Sequence, residues 1–113
     1  MGMGDGKRGF KLLNMILSEG SLEILEVAKD GEPKHFTDFR EIVNSRTGKV
    51  FSPNTISTRL KELVEAGVLE RIITKTKRER EVVGYKITPA GLRALEISYR
   101  YEEELQTVLE AEG

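Results

Sequence analysis

The sequence predicts a mainly α chain with one small β-hairpin, and three observations lead to that fold class. Apolar residues recur at helical spacing in several stretches before Gly67 and again after Pro89. Between them the period changes to alternation in two short runs rich in β-branched residues. Ser52-Pro53 and Thr88-Pro89 each announce a helix start. The hydroxyl can accept a free backbone N–H of the first turn, and proline lacks the N–H that would be unpaired there.

The elements follow in order. Residues 1–6 are Gly-rich with no apolar run, so they are expected to form a disordered tail and not a secretory signal. Residues 7–18 hold Phe10, Leu12, Leu13, Met15, Ile16 and Leu17. That helix is apolar nearly all round and is expected to be covered on more than one side. Gly20-Ser21 breaks it, and Ser21 is expected to cap a second helix carrying Leu22, Ile24, Leu25, Val27 and Ala28. The run Asp30-Gly31-Glu32-Pro33 stops that helix. Thr37 is expected to cap a third, with Phe39, Ile42 and Val43 inward. Residues 44–50 read as a polar loop. A helix over about 53–66 turns Ile56, Leu60, Leu63 and Val64 to one side, and Gly67 ends it.

Residues 69–74 and 82–87 read as antiparallel strands. Lys75 to Glu81 between them contains neither Gly nor Pro, which predicts a mobile tip. A long helix runs from Pro89 to about Glu110 with two apolar stripes: Leu92, Leu95 and Tyr99 on one face, and Ile97, Tyr101, Leu105 and Val108 roughly on the other. A helix with two buried faces needs two partners. One is its own domain. The other is the first helix or a second subunit, and a two-fold homodimer with Phe10, Leu13, Leu17, Ile97, Tyr101, Leu105 and Val108 at its interface is favoured over a monomer with packed termini.

Three short helices followed by a hairpin is the order of a winged helix-turn-helix, here with additional N- and C-terminal helices. The domain is expected over 7–95, with a dimerisation extension over 96–113. The helix at 53–66 takes the recognition position, for the major groove of double-stranded DNA, and the wing is expected at about 74–82, on the DNA backbone. Ser52, Asn54, Thr55, Ser57, Thr58 and Lys61 are short or basic side chains able to reach base edges and phosphates. Lys75, Lys77, Arg78 and Arg80 are the wing candidates, diluted by Glu79 and Glu81, and Arg46 and Lys49 are candidates in the loop before the recognition helix. Arg59 lies beside the apolar stripe and can pair with an acid such as Asp38 or touch a phosphate.

Charge supports this placement. The chain carries −1 overall, but residues 34–80 hold eleven bases and six acids, a net +5, while residues 96–113 hold six glutamates and one arginine, a net −5. Local charge matters more than the total for binding a polyanion. The balanced total and Glu62 and Glu65 on the recognition helix leave open a second reading, a winged-helix protein-interaction module.

Other classes lack their residues. With no cysteine, disulfides and thiolate zinc sites are excluded, and a lone histidine, His35, speaks against a histidine-based metal site. His35 reads as a surface residue. No nucleophile–base–orienter set is visible, so no catalytic residue and no cofactor is expected. Gly48-Lys49 fails as a phosphate loop, because Val43 stands at its first glycine and Val50 after its lysine. No apolar run approaches the roughly 20 residues of a membrane span, which leaves the cytoplasm as the default location. An unidentified small-molecule effector could lie between the terminal helices, but no residue constellation demands one.

The stretches Phe36-Thr37-Asp38-Phe39, Phe51 to Leu63, Ala66-Gly67-Val68-Leu69-Glu70-Arg71 and Gly84-Tyr85-Lys86-Ile87-Thr88-Pro89-Ala90-Gly91 resemble the HxlR-type winged-helix transcription regulators over about residues 21–95. The resemblance implies a dimeric prokaryotic DNA-binding repressor or activator. Many such regulators carry an oxidant-sensing cysteine near the N-terminus, and this chain has none. The connection at 44–50 is also longer than the usual turn of about 3–4 residues before a recognition helix.

Overall fold

The computed structural model describes residues 9–112. Its elements are α1 (Lys11–Ile16), α2 (Ser21–Ala28), α3 (Phe36–Phe39), α4 (Pro53–Glu65), β1 (Leu69–Lys75), β2 (Glu81–Ile87) and α5 (Pro89–Glu112). The mainly helical class with one antiparallel hairpin is the one the periodicities predict. The tail at 1–6 and the start of the expected first helix lie outside the described residues.

The core gathers where the helical stripes meet the hairpin. Ile24, Leu25 and Ala28 of α2, Phe39 of α3, Ile56, Leu60 and Leu63 of α4, Leu69 and Ile87 of the strands and Leu95 of α5 are all buried together. Strands β1 and β2 pair from Leu69↔Ile87 to Lys75↔Glu81. Lys34 adds a short third position to this sheet: its N–H donates to the Tyr85 carbonyl at 2.8 Å, and Tyr85 N–H donates back at 2.7 Å.

Helix α4 ends as Gly67 requires. Gly67, at φ +85°, donates its N–H to the Val64 carbonyl, and Val68 N–H reaches Leu63, the paired bonds of a Schellman cap. Thr88 starts α5 as expected: its Oγ1 accepts the Gly91 N–H at 3.0 Å and donates to the Gly67 carbonyl at 2.7 Å. Gly91 then passes so close to β1 that a Cβ there would lie 2.1 Å from the Val68 carbonyl oxygen.

Several local expectations are corrected. Helix α1 has six residues and none is buried; Leu12 is 72% exposed and Phe10, in the left-handed region at φ 57°, is 66% exposed. Met15 and Ile16 pack against the core, while Phe10 and Leu12 are left uncovered within one chain. Gly20, not Ser21, occupies the cap position of α2 at φ +90°, and the buried Ser21 hydroxyl donates to the Met15 carbonyl at 3.0 Å. His35, not Thr37, precedes α3, and its N–H is taken by the Asp38 carboxylate at 2.7 Å. Residues 44–50 form a tight ribbon instead of an open loop: Val43 bridges Val50, Asn44 N–H donates to the Lys49 carbonyl, and Asn44 Oδ1 accepts the Arg46 N–H at 2.9 Å. On α5, Leu95 is buried but Leu92 is not.

The Gly91 contact gives a test of sign. In an open helix, Gly→Ala adds about 1 kcal/mol of stability. Gly91→Ala meets backbone and is expected to lower it by about 2–3 kcal/mol, read as a fall in the urea midpoint with an unchanged slope.

Candidate nucleic-acid interface

Helix α4 divides cleanly. Asn54, Ser57, Thr58 and Lys61 are exposed and lie at i, i+3, i+4 and i+7, one face of the helix. Ile56, Leu60 and Leu63 face the core. Glu65 continues the exposed row at its C-terminal end, so the part free of acid is the first two turns. Ser52 and Thr55 are engaged with each other: Ser52 Oγ accepts the Thr55 N–H at 3.1 Å and donates to Thr55 Oγ1 at 3.0 Å. Thr55 is half-buried and serves the cap of the helix.

Arg59 pairs with an acid, as its position suggested, but that acid is Glu62 and not Asp38. Its Nε donates to the Glu19 carbonyl at 2.7 Å and its Nη1 to the Glu62 carboxylate at 3.1 Å. It pins α4 to the turn between α1 and α2. The Glu19 carboxylate also accepts from Asn44 Nδ2 at 3.2 Å and lies 3.9 Å from Arg46. One turn thus holds both the recognition-position helix and the ribbon that leads into it.

Two basic ribbons flank α4 in the chain. Arg46 and Lys49 stand exposed on the 44–50 ribbon, and Lys75, Lys77, Arg78 and Arg80 stand exposed at the hairpin tip. Among the described residues, Lys49, Lys61 and all four tip bases make no ion pair. The tip itself is organised by Thr76, which the sequence reading passed over. Its Oγ1 accepts the N–H groups of Arg78 and Arg80, each at 3.2 Å, and its N–H donates to the Arg80 carbonyl. A threonine followed two residues on by the turn centre was the available signal. Glu79 sits in this turn at φ 65°.

Arg71 was also missed. It lies with Ser57, Lys61 and Tyr85 along a groove of about 340 Å³ between α4 and the hairpin, placed there by its outward register on β1. His35 anchors the hairpin from the other side: it is half-buried, not a free surface residue, and its Nε2 lies 2.8 Å from Thr74 Oγ1.

The left-handed backbone at Glu79 is testable. Glu79→Gly removes the Cβ penalty at the cost of chain entropy, and is expected to raise stability by about 0.5–1 kcal/mol, measured as a higher melting temperature.

No protein-family model matches the chain, and no curated protein matches it. Solved structures do. TA0346 of Thermoplasma acidophilum, proposed to be a transcriptional regulator, is 19% identical with a TM-score of 0.64, over 89% of this chain and 93% of that one. Diamide-treated YodB of B. subtilis is 22% identical with a TM-score of 0.64, over 94% and 95%. A PadR family transcriptional regulator of Eggerthella lenta is 17% identical with a TM-score of 0.58, over 95% and 96%. At these identities the likeness is one of fold, and the chain has the winged helix-turn-helix fold found in transcription regulators.

Proposed function

We propose that this chain is a sequence-specific double-stranded DNA-binding transcription regulator of HxlR type, cytoplasmic and homodimeric. The observation that carries the reading is the exposed row Asn54, Ser57, Thr58 and Lys61 on a capped, core-anchored α4, with exposed bases on the ribbons that enter and follow it, of which Lys49, Lys75, Lys77, Arg78 and Arg80 make no ion pair among the described residues. In this reading the first two turns of α4 lie in the major groove, and Asn54 and Thr58 read base edges. Lys61, the hairpin tip (Lys75, Lys77, Arg78 and Arg80) and the 44–50 ribbon (Arg46 and Lys49) hold phosphates. Arg71 joins them from the groove beside Lys61. Ser52 and Thr55 set the helix start.

The homodimer reading rests on exposed apolar surface. Phe10, Leu12, Leu13 and Leu17 at the N-terminal end, and Ile97, Tyr101, Leu105, Val108 and Leu109 on α5, are each at least 38% exposed. A two-fold dimer that covers them brings two α4 helices to half-sites about 34–36 Å apart. The interaction-module reading loses part of its support, because Glu62 is neutralised by Arg59 at 3.1 Å.

Binding to random and genomic duplexes across a salt series, with sedimentation in the same buffers, tests the proposal. Lys61→Ala is expected to weaken all duplexes alike and to reduce the salt slope by about 1. Asn54→Ala and Thr58→Ala are expected to change preference at single base pairs by about 1–3 kcal/mol. Affinity for Lys61→Ala equal to that of the parent at every salt concentration would show that α4 docks differently.

A further inference from the structure

The groove between α4 and the hairpin draws one base from each side. Lys61 and Glu65 stand one turn apart on the helix wall. Arg71 and Tyr85 make the strand wall; they are cross-strand partners, so both side chains leave the sheet on one face. Phe36 and Val64 add apolar surface between the walls. The strand wall is firmly held. Tyr85 exchanges both backbone hydrogen bonds with Lys34, and its ring meets that of Phe39 edge-on, with centroids 6.2 Å apart. Lys61 and Arg71 are exposed, and among the described residues neither makes an ion pair, although Glu65 lines the same groove.

We propose that this groove clamps a single phosphodiester of the DNA backbone, held by Lys61 from the helix and by Arg71 from the strand. The inference rests on the DNA reading and gives it a defined contact. A diester presents two free oxygens and one negative charge. The ammonium meets one oxygen as a point charge, and the guanidinium meets the other with its planar fork. Two like charges in one groove beside apolar surface repel until an anion lies between them. Two bases and one acid leave the lining a single positive charge, which balances a diester and leaves a dianionic monoester in excess. The apolar surface suits the deoxyribose that carries the phosphate. One phosphate tied to both elements sets the angle at which helix and hairpin meet the duplex. Asn54 and Thr58 are thereby brought into register by a contact that carries no sequence information.

Duplex binding by the full chain across a salt series tests the clamp, with Lys61→Ala, Arg71→Ala and the double variant. Both side chains are exposed, so the variants are expected to keep the fold, which circular dichroism checks. Arg71→Ala is expected to weaken every duplex alike, about tenfold. Arg71→Lys, which keeps the charge without the fork, should weaken it about threefold. The salt slope counts phosphates and not bases. The double variant is therefore expected to lose a slope of about 1, as each single variant does, and about as much affinity as the worse of them. Uncharged methylphosphonates placed one at a time along the duplex locate the contact. One position in each half-site is expected to cost the parent about tenfold and the double variant nothing. Parent affinity in folded Arg71→Ala, or losses that add in the double variant with a slope reduced by about 2, would overturn the clamp and leave the DNA reading standing. Displacement of the duplex by inorganic phosphate beyond that by chloride at equal ionic strength, abolished in the double variant, would assign the groove to a free anion and overturn it too. Absence of duplex binding by the parent at low salt would overturn the DNA reading itself, and the clamp with it.

Discussion

Three elements leave from one small piece of backbone, and the rest of the fold depends on how it is closed. Gly67 and Val68 end α4 in a left-handed cap, turn the chain into β1, and accept α5 as it returns: Thr88 Oγ1 donates to the Gly67 carbonyl, and Thr88 N–H to that of Val68 at 3.2 Å. Gly91 lets the first turn of α5 rest against the same carbonyl. Each of these polar groups would otherwise be left unpaired at an element end. Their closure fixes the hairpin relative to α4, which sets where a wing can stand beside a recognition helix.

The turn at Glu19 and Gly20 plays the matching part on the other side of α4. Its carbonyl takes Arg59 and its carboxylate takes Asn44. Gly20 takes φ +90° in this turn, a backbone conformation that side chains disfavour. Helix α1 leads directly into this turn.

What could be read from the sequence was local. Both Ser/Thr-Pro starts, the Gly67 stop, the strand pair and the inward stripe of α4 follow from rules that act within four or five residues. What could not be read depended on partners far along the chain. Arg59 finds Glu19 forty residues away, and His35 finds Thr74 thirty-nine away. Asn44, at the base of the 44–50 ribbon, finds the Glu19 carboxylate twenty-five residues away. In the site, the exposed face of α4 was legible from periodicity. The engagement of Ser52 with Thr55 was not, because a free hydroxyl and a capping hydroxyl have the same sequence signature. Leu92 and the residues of α1 show the reverse limit: apolar periodicity says that a face is suited to burial, not that its own chain buries it.

The opposed charge of the two ends sets how far away this molecule can be felt. Its longest axis is 56 Å, while the field of an exposed charge decays over about 8 Å in physiological salt. A DNA phosphate near the basic ribbons therefore does not sense the glutamates of the free end of α5, and a partner near those glutamates does not sense the ribbons. The near-zero total supplies no attraction at longer range. Encounter with a polyanion would then be guided only at close range, by the basic ribbons themselves, and differences in affinity among sites would reside in how long the complex lasts.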